Sequence, residues 1–296
     1  MNKTLFFTIA AAAVLLLASC TKEGKFNPEQ RLVRVYSESV KETFEFYSGE
    51  HSLRKEVVIP NYKYQQYIWD EKKLNEIITY DTTGGVISHV ALKYNNFKRV
   101  VKCEQDGNYY AEYKYKWGKL NKYTIVVSGK AAMIFEIEHE DKKITTLTAE
   151  INTDNFDTND IPFMRTALSL VFPKCVSDMM LDMPPSRTKS PLVITFTYQN
   201  DNLVAISLGD SSIQFEYDNK LNPIQGCYAY FGPTALSANN IVKVAGYPYT
   251  YTYNTFGYPA TVAYVVESNP PGNYRYETTT TETYEYVAAD QFAPAD

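Results

Sequence analysis

The chain carries three histidines in 296 residues, and its four cysteines include no CxxC pair, so the usual ligand sets of a zinc site are missing. No GxSxG occurs, which removes the nucleophile elbow of serine hydrolases. Basic residues form no block: 29 Lys and Arg stand against 34 Asp and Glu, for a net charge of −5. That balance argues against nucleic acid as a partner and against electrostatic adsorption to anionic lipid. Asp154, Asp157 and Asp160 recur at intervals of three, but the Gly and terminal Glu of an EF-hand loop are absent, so they read as a loop leading into a helix cap. Nothing in the sequence asks for a cofactor. The longest apolar run, Leu5 to Leu17 broken only by Thr8, is shorter than the ~20 residues a membrane-spanning helix needs.

That run is informative for where it stops. Lys3 precedes it, and the small residues Ala18 and Ser19 lead from it to Cys20, the order of an export signal. Leu17-Ala18-Ser19-Cys20 resembles the lipobox of bacterial lipoproteins. The resemblance implies that residues 1–19 are a signal peptide that is cleaved. It also implies that the Cys20 thiol receives a diacylglyceryl group and that the protein meets the membrane through this lipid. Several acyl chains hold a protein far more firmly than one. Residues 20–30 are polar, with Gly24 and Pro28, and read as a flexible tether. Lys22-Glu23 faintly resembles the charged export tags of some Bacteroidetes surface lipoproteins. The expected location is the outer membrane, lipid-anchored, with the periplasmic or cell-surface face left open.

Tyrosine is abundant, at 26 residues against two tryptophans, and aromatic and β-branched residues suit half-buried pleated surfaces. A unit recurs: alternating residues end at an aromatic, a polar turn follows, and Leu or Ile opens the next strand. Tyr67-Ile68-Trp69 leads to Leu74, Leu92-Lys93-Tyr94 to Phe97 and Val100, and Tyr113-Lys114-Tyr115 to Leu120. Phe196-Thr197-Tyr198 leads to Leu203, Phe215-Glu216-Tyr217 to Leu221, and Tyr251-Thr252-Tyr253 to Tyr258. A spacing of roughly 20–25 residues fits one β-hairpin per repeat. Tyr284-Glu285-Tyr286 has no strand after it, as the last strand of an array would not.

Tyr80-Asp81 and Tyr217-Asp218, with the variants Tyr94-Asn95 and Tyr253-Asn254, resemble the Tyr-Asp step of YD-type (RHS-like) repeats. Phe231 to Ala260 is similar to Bacteroidetes outer-membrane lipoproteins built from such hairpins. The resemblance implies a fold and a location and no activity. The chain has neither the length of an RHS shell nor its C-terminal toxin-like domain, so encapsulation does not carry over.

The fold class expected is all-β: an antiparallel twisted sheet of repeated hairpins with a short helical insert around 160–183. Asn159-Asp160 with Pro162 predicts the start of that insert, and its apolar face would cover the sheet. The layout is N-terminal hairpins over 31–154, an insert over 155–191, C-terminal hairpins over 192–287 and a tail over 288–296.

Candidate chemistry is sparse. Cys103, Cys175 and Cys227 are odd in number and widely spaced, which indicates no disulfide framework. They read as core or surface thiols. Glu136, Glu138 and Glu140 alternate along a strand and read as a solvated face. The densest tyrosine group, Tyr247, Tyr249, Tyr251, Tyr253, Tyr264, Tyr274 and Tyr276, is the candidate ligand platform, since the amphipathic ring stacks on apolar faces. Cross-strand packing inside the sheet is the competing and simpler role. The function expected is a non-catalytic binding or structural module of the cell envelope, with glycan or an envelope protein as partner. The alternative is a glycan-degrading enzyme using a carboxylate pair.

Overall fold

The structure is a computed structural model. It describes residues 29–47, 50–56, 64–70, 73–140, 143–172, 177, 180–181, 191–225, 237–268 and 274–292. Cys20, the signal segment, most of the tether, Cys175 and Cys227 lie outside the described residues. The first strands are β1 (Gln30–Tyr47), β2 (Glu50–Glu56), β3 (Tyr64–Asp70), β4 (Lys73–Tyr80), β5 (Val86–Tyr94) and β6 (Val100–Glu104). Next come β7 (Tyr110–Lys116), β8 (Lys119–Val127), β9 (Lys130–Glu140) and β10 (Lys143–Ile151), and then the helix α1 (Ile161–Ser169). After it run β11 (Leu192–Gln199), β12 (Asn202–Leu208), β13 (Ser211–Leu221), β14 (Asn239–Val244), β15 (Tyr247–Tyr253), β16 (Pro259–Ser268) and β17 (Tyr274–Ala288).

From β3 to β17 each strand pairs antiparallel with the next, and β10 pairs directly with β11 across the insert. The array does not end at β17. Gln30 to Glu45 of β1 pair along β17, and Arg34 to Tyr36 pair on the other side with β3. Sixteen strands therefore close into a barrel, and β2 extends the far half of β1 outside the ring. The expected open sheet is corrected to a closed one. Closure removes the unpaired edge that Tyr284-Glu285-Tyr286 would otherwise expose.

Period-2 alternation sorts each strand into an inner and an outer face. On β7 Ala111 and Tyr113 are buried while Lys114 and Lys116 are exposed; on β9 Met133, Phe135 and Ile137 are buried while Glu136, Glu138 and Glu140 face outward. The buried set from β4 through β13 forms one apolar cluster with Phe163, Met164, Leu168 and Phe172. The insert reaches both sides of the ring. Tyr123 donates to Ala167 O of the helix at 2.8 Å, and the ring of Phe172 just beyond the helix lies 5.5 Å from that of Phe135. Arg165 and Phe172 face β1, β3 and β17 across a cavity. It therefore fills the ring instead of covering an open sheet. The regular helix is shorter than the expected 160–183 insert, ending at Ser169, although Ser177, Met180 and Leu181 are also helical.

The aromatic that closes each outgoing strand has a local task. The returning strand carries a β-bulge just after its first residues, as at Lys93/Tyr94 opposite Val100 and at Lys114/Tyr115 opposite Leu120. A bulge leaves ladder groups unpaired, and the next inward aromatic satisfies the carbonyl beside it. Tyr94 donates to Leu74 O (2.6 Å), Tyr115 to Val100 O (2.8 Å) and Tyr217 to Leu203 O (2.5 Å). Trp69 Nε1 donates to Leu32 O at 2.7 Å, and His139 Nε2 lies 2.6 Å from Leu120 O.

The Asx residue after the aromatic builds the turn. Asp81, Asn95 and Asn254 each accept backbone N–H bonds from residues two and four further on, at 2.8–3.1 Å. The fourth residue of each turn is left-handed: Gly84, Lys98 and Gly257 have φ of 91°, 58° and 81°. Such side-chain bonds are why Asp and Asn recur in turns.

Candidate functional site

The inner face changes character around the ring. From β4 to β13 it is aliphatic and aromatic and packs on α1; from β14 through β17 to β1 and β3 it is rich in tyrosine and polar groups. Tyr247, Tyr249, Tyr251 and Tyr253 share the inner side of β15, opposite the exposed Pro248, Thr250 and Thr252. Tyr264 joins them from β16, its ring stacked on Tyr249 at 4.5 Å and 13°. These five tyrosines are brought together, but facing inward rather than as an outer platform. The side chains of Tyr274 and Tyr276 lie outside the described residues.

Several of the five are used structurally. The Tyr253 hydroxyl donates to Asp218, which also accepts the Asn240 backbone N–H at 3.0 Å. Tyr264 donates to Glu282 Oε1 at 3.3 Å, and Tyr284 donates to Glu282 Oε2 at 2.8 Å. Tyr251 stacks on Tyr253 at 5.8 Å, and its hydroxyl makes no hydrogen bond among the described residues. Burial, then the Glu282 carboxylate nearby, raises the pKa of Tyr251, and the same two causes raise that of Tyr284. Both phenols stay protonated in the working pH range.

Tyr251, Glu282 and Tyr284 line a cavity of about 270 Å³ between α1 and this polar wall. Leu32, Val35, Gln65 and Tyr67 close one side, and Arg165, Ser169 and Phe172 the other. Pro259 and the start of β14 place it toward the barrel end where β1 begins. Arg165 and Glu282 are the charged residues of the described lining. Glu282 carried no signal of its own in the sequence, although it shares the even-numbered face of β17 with Tyr284 and Tyr286. Arg165 carried no signal, because nothing local shows that the insert enters a ring.

The remaining candidates do not converge. Glu136 lies on the outer face, 3.5 Å from Lys122. Asp157 and Asp160 build the loop before α1: Asp160 accepts from Asp157 N at 2.8 Å and from Tyr109 OH at 2.9 Å. Among the described residues no three His, Cys, Asp or Glu side chains are placed to hold a metal. Cys103 is fully buried in the core, and burial raises its pKa, so it is no thiolate nucleophile.

No family model matches the chain, and a search of curated proteins finds no match. Among solved structures, the chain resembles a porin-like protein from Bacteroides uniformis ATCC 8492 with a TM-score of 0.44 and 11% identity. That alignment covers 87% of this chain and 98% of the other.

Proposed function

We propose that the protein is a lipid-anchored, non-catalytic binding module of the bacterial outer membrane, a barrel that stands in water and is held to the membrane through Cys20. The observation that carries this reading is the polarity of the wall. A barrel embedded in lipid is apolar outside and polar within. Here the outer face carries Lys93, Lys102 and Glu104 on β5 and β6, Glu112 and Lys114 on β7, Glu136 and Glu138 on β9, and Glu216 and Lys243 on β13 and β14. The interior is packed with aliphatic side chains and a helix. Each Lys or Arg facing lipid at the bilayer midplane would cost about 2–4 kcal/mol, and these are spread around the ring. The "porin-like" description belongs to the B. uniformis protein, and an interior occupied by α1 and an aliphatic cluster over β4–β13 supports a closed barrel rather than a water channel. Among the described lining residues of the cavity Glu282 is the one carboxylate, whereas glycosidases of the usual kind use two. This supports binding over hydrolysis.

Two measurements test the reading together. Cys20→Ala should release the protein from membranes with an unchanged far-UV spectrum, and the lipidated protein should produce no channel conductance in planar bilayers. A membrane-integral Cys20→Ala variant, or stepwise conductance from the pure protein, would overturn it.

A further inference from the structure

We infer that the barrel end at which β1 starts rests on the headgroup layer of the bilayer that holds the lipid of Cys20, with Phe97 and Trp117 seated in that layer. The inference rests on the reading of Cys20 as the anchor and adds the surface that the anchored barrel turns to the membrane. Six large apolar side chains are exposed among the described residues, and four of them, Phe97, Trp117, Leu221 and Phe256, stand at this one end. Phe97 lies in the turn between β5 and β6, Trp117 in that between β7 and β8, and Phe256 in that between β15 and β16; Leu221 ends β13. The start of the described chain is at the same end. Asn254 Nδ2 of the β15–β16 turn donates to Gln30 Oε1 at 2.8 Å, and Gln30 pairs with Ala288 at the end of β17.

Trp117 carries the argument. Of the chain's two tryptophans, Trp69 is buried in the wall and Trp117 is 92% exposed. Trp117 and Gly118 form a two-residue hairpin turn with φ of 53° and 79°, left-handed positions that Asn-Gly fills without strain. A tryptophan there strains the backbone and gains little packing on the barrel, so its place is explained by something outside the barrel. Phe97, 71% exposed, belongs to the neighbouring tip: the Arg99 guanidinium lies against Gly118 and 6.0 Å from the Phe97 ring. The two tips thus make one patch. Lys98 and Lys116 are exposed beside the rings, and neither turn contains an acidic residue, so the patch is basic on a chain that is acidic overall. Aromatic rings settle at headgroup level, and lysines there meet lipid phosphates. The chain outside the described residues points to the same occupant. Cys20 precedes Gln30 by about ten residues, and a tether of that length has a mean span of roughly 20 Å. A lipid on Cys20 therefore holds this end of the barrel, and not the β4–β5 turn at the other, next to the bilayer.

The test reads tryptophan emission from the full-length lipidated protein in vesicles of phosphatidylethanolamine and phosphatidylglycerol, with Trp117→Tyr supplying the Trp69 background. Trp117 emission should shift to the blue relative to the non-lipidated Cys20→Ala protein in buffer. It should also be quenched by phospholipid brominated near the top of its acyl chains. Val86 is exposed at the opposite end, where β5 begins. A tryptophan moved there by Val86→Trp, in the Trp117→Tyr background, should keep its aqueous emission and escape the brominated lipid. The inference is overturned if Trp117 is not quenched by brominated lipid, or if the tryptophan of Val86→Trp is quenched as strongly. It is also overturned if Trp117 is shielded from acrylamide without lipid quenching, the mark of a second copy of the chain on the patch. Lipidated protein that fails to float with the vesicles overturns this inference and the anchor reading together; flotation with Trp117 unquenched overturns this inference alone.

Discussion

Among the side-chain bonds that tie the helix to the barrel wall, that of the Tyr123 hydroxyl is fully buried, which makes Tyr123→Phe a sharp test of how the interior is organised. Tyr123 is 0% exposed and donates to Ala167 O at 2.8 Å. That carbonyl belongs to the last turn of α1, where carbonyls lack intrahelical partners; the following N–H groups of Val171 and Phe172 both turn back to Leu168 O instead. Phe at position 123 keeps the ring contacts to Tyr113 (4.7 Å) and Phe135 (5.8 Å), so no large cavity opens. What is lost is the partner of a buried carbonyl, at a cost of about 1–3 kcal/mol. At roughly 2–4 °C per kcal/mol for a chain of this order, Tm should fall by about 2–12 °C. Urea unfolding should show a lower midpoint with an unchanged slope. Tyr251→Phe is the control, because its hydroxyl bonds nothing among the described residues and its removal should leave Tm unchanged. An unshifted midpoint for Tyr123→Phe would refute the assignment of this bond as a link between wall and helix.

Lys98 occupies the left-handed position that Gly84 and Gly257 fill in the two equivalent turns. Lys98→Gly should raise the urea midpoint by the equivalent of about 1 kcal/mol, and a lowered midpoint would count against the shared turn geometry. His139 stands where other repeats have tyrosine, and to donate to Leu120 O its Nε2 must carry the proton. Burial, with Lys119 adding to it, lowers its pKa against the opposing pull of that hydrogen bond. A base with a depressed folded pKa contributes stability that is complete above its ordinary value of ~6.5 and is lost as pH falls through the folded value. Unfolding at pH 8 and pH 5 should therefore show a loss at acid pH that His139→Tyr reduces. Equal pH dependence in both proteins would remove His139 as its source.

The repeat was legible in the sequence because its signals are local. Alternation in Ile213-Gln214-Phe215-Glu216-Tyr217 names a buried face, and the structure buries Phe215 and exposes Glu216. The Tyr80-Asp81, Tyr94-Asn95 and Tyr253-Asn254 steps mark turns because the Asx side chain bonds backbone a few residues on. Tyr217-Asp218, expected to open a turn before Leu221, instead lies inside β13, which runs on to Leu221. The role of the tyrosine was not legible. Its hydroxyl serves a carbonyl in the preceding hairpin, 20 residues back for Tyr94 and 14 for Tyr217. The same limit applies to the candidate site. The tyrosines of β15 were visible as a row, but Glu282 and Arg165 become their neighbours only when β17 and the helix are placed.

Closure is the feature that local pattern cannot carry, and it reverses the meaning of the amphipathic strands. An alternating strand says that one face is buried, without saying against what. In an open sheet the apolar face needs a covering layer, which is the part the insert was expected to play. In a ring the same face becomes the lumen, and the insert becomes its filling. The deciding contacts are β1 with β17 and β1 with β3, the first joining residues as far apart as Arg34 and Glu285, whose side chains pair at 3.2 Å. No composition or spacing near either residue announces that pairing. A ring closed with charged side chains outward stays, on the proposed reading, out of the lipid tails, and attachment comes from elsewhere in the chain. On the proposed reading Cys20 supplies it, which is why removal of a single sulfur is expected to detach a barrel that a transmembrane wall would have kept in place.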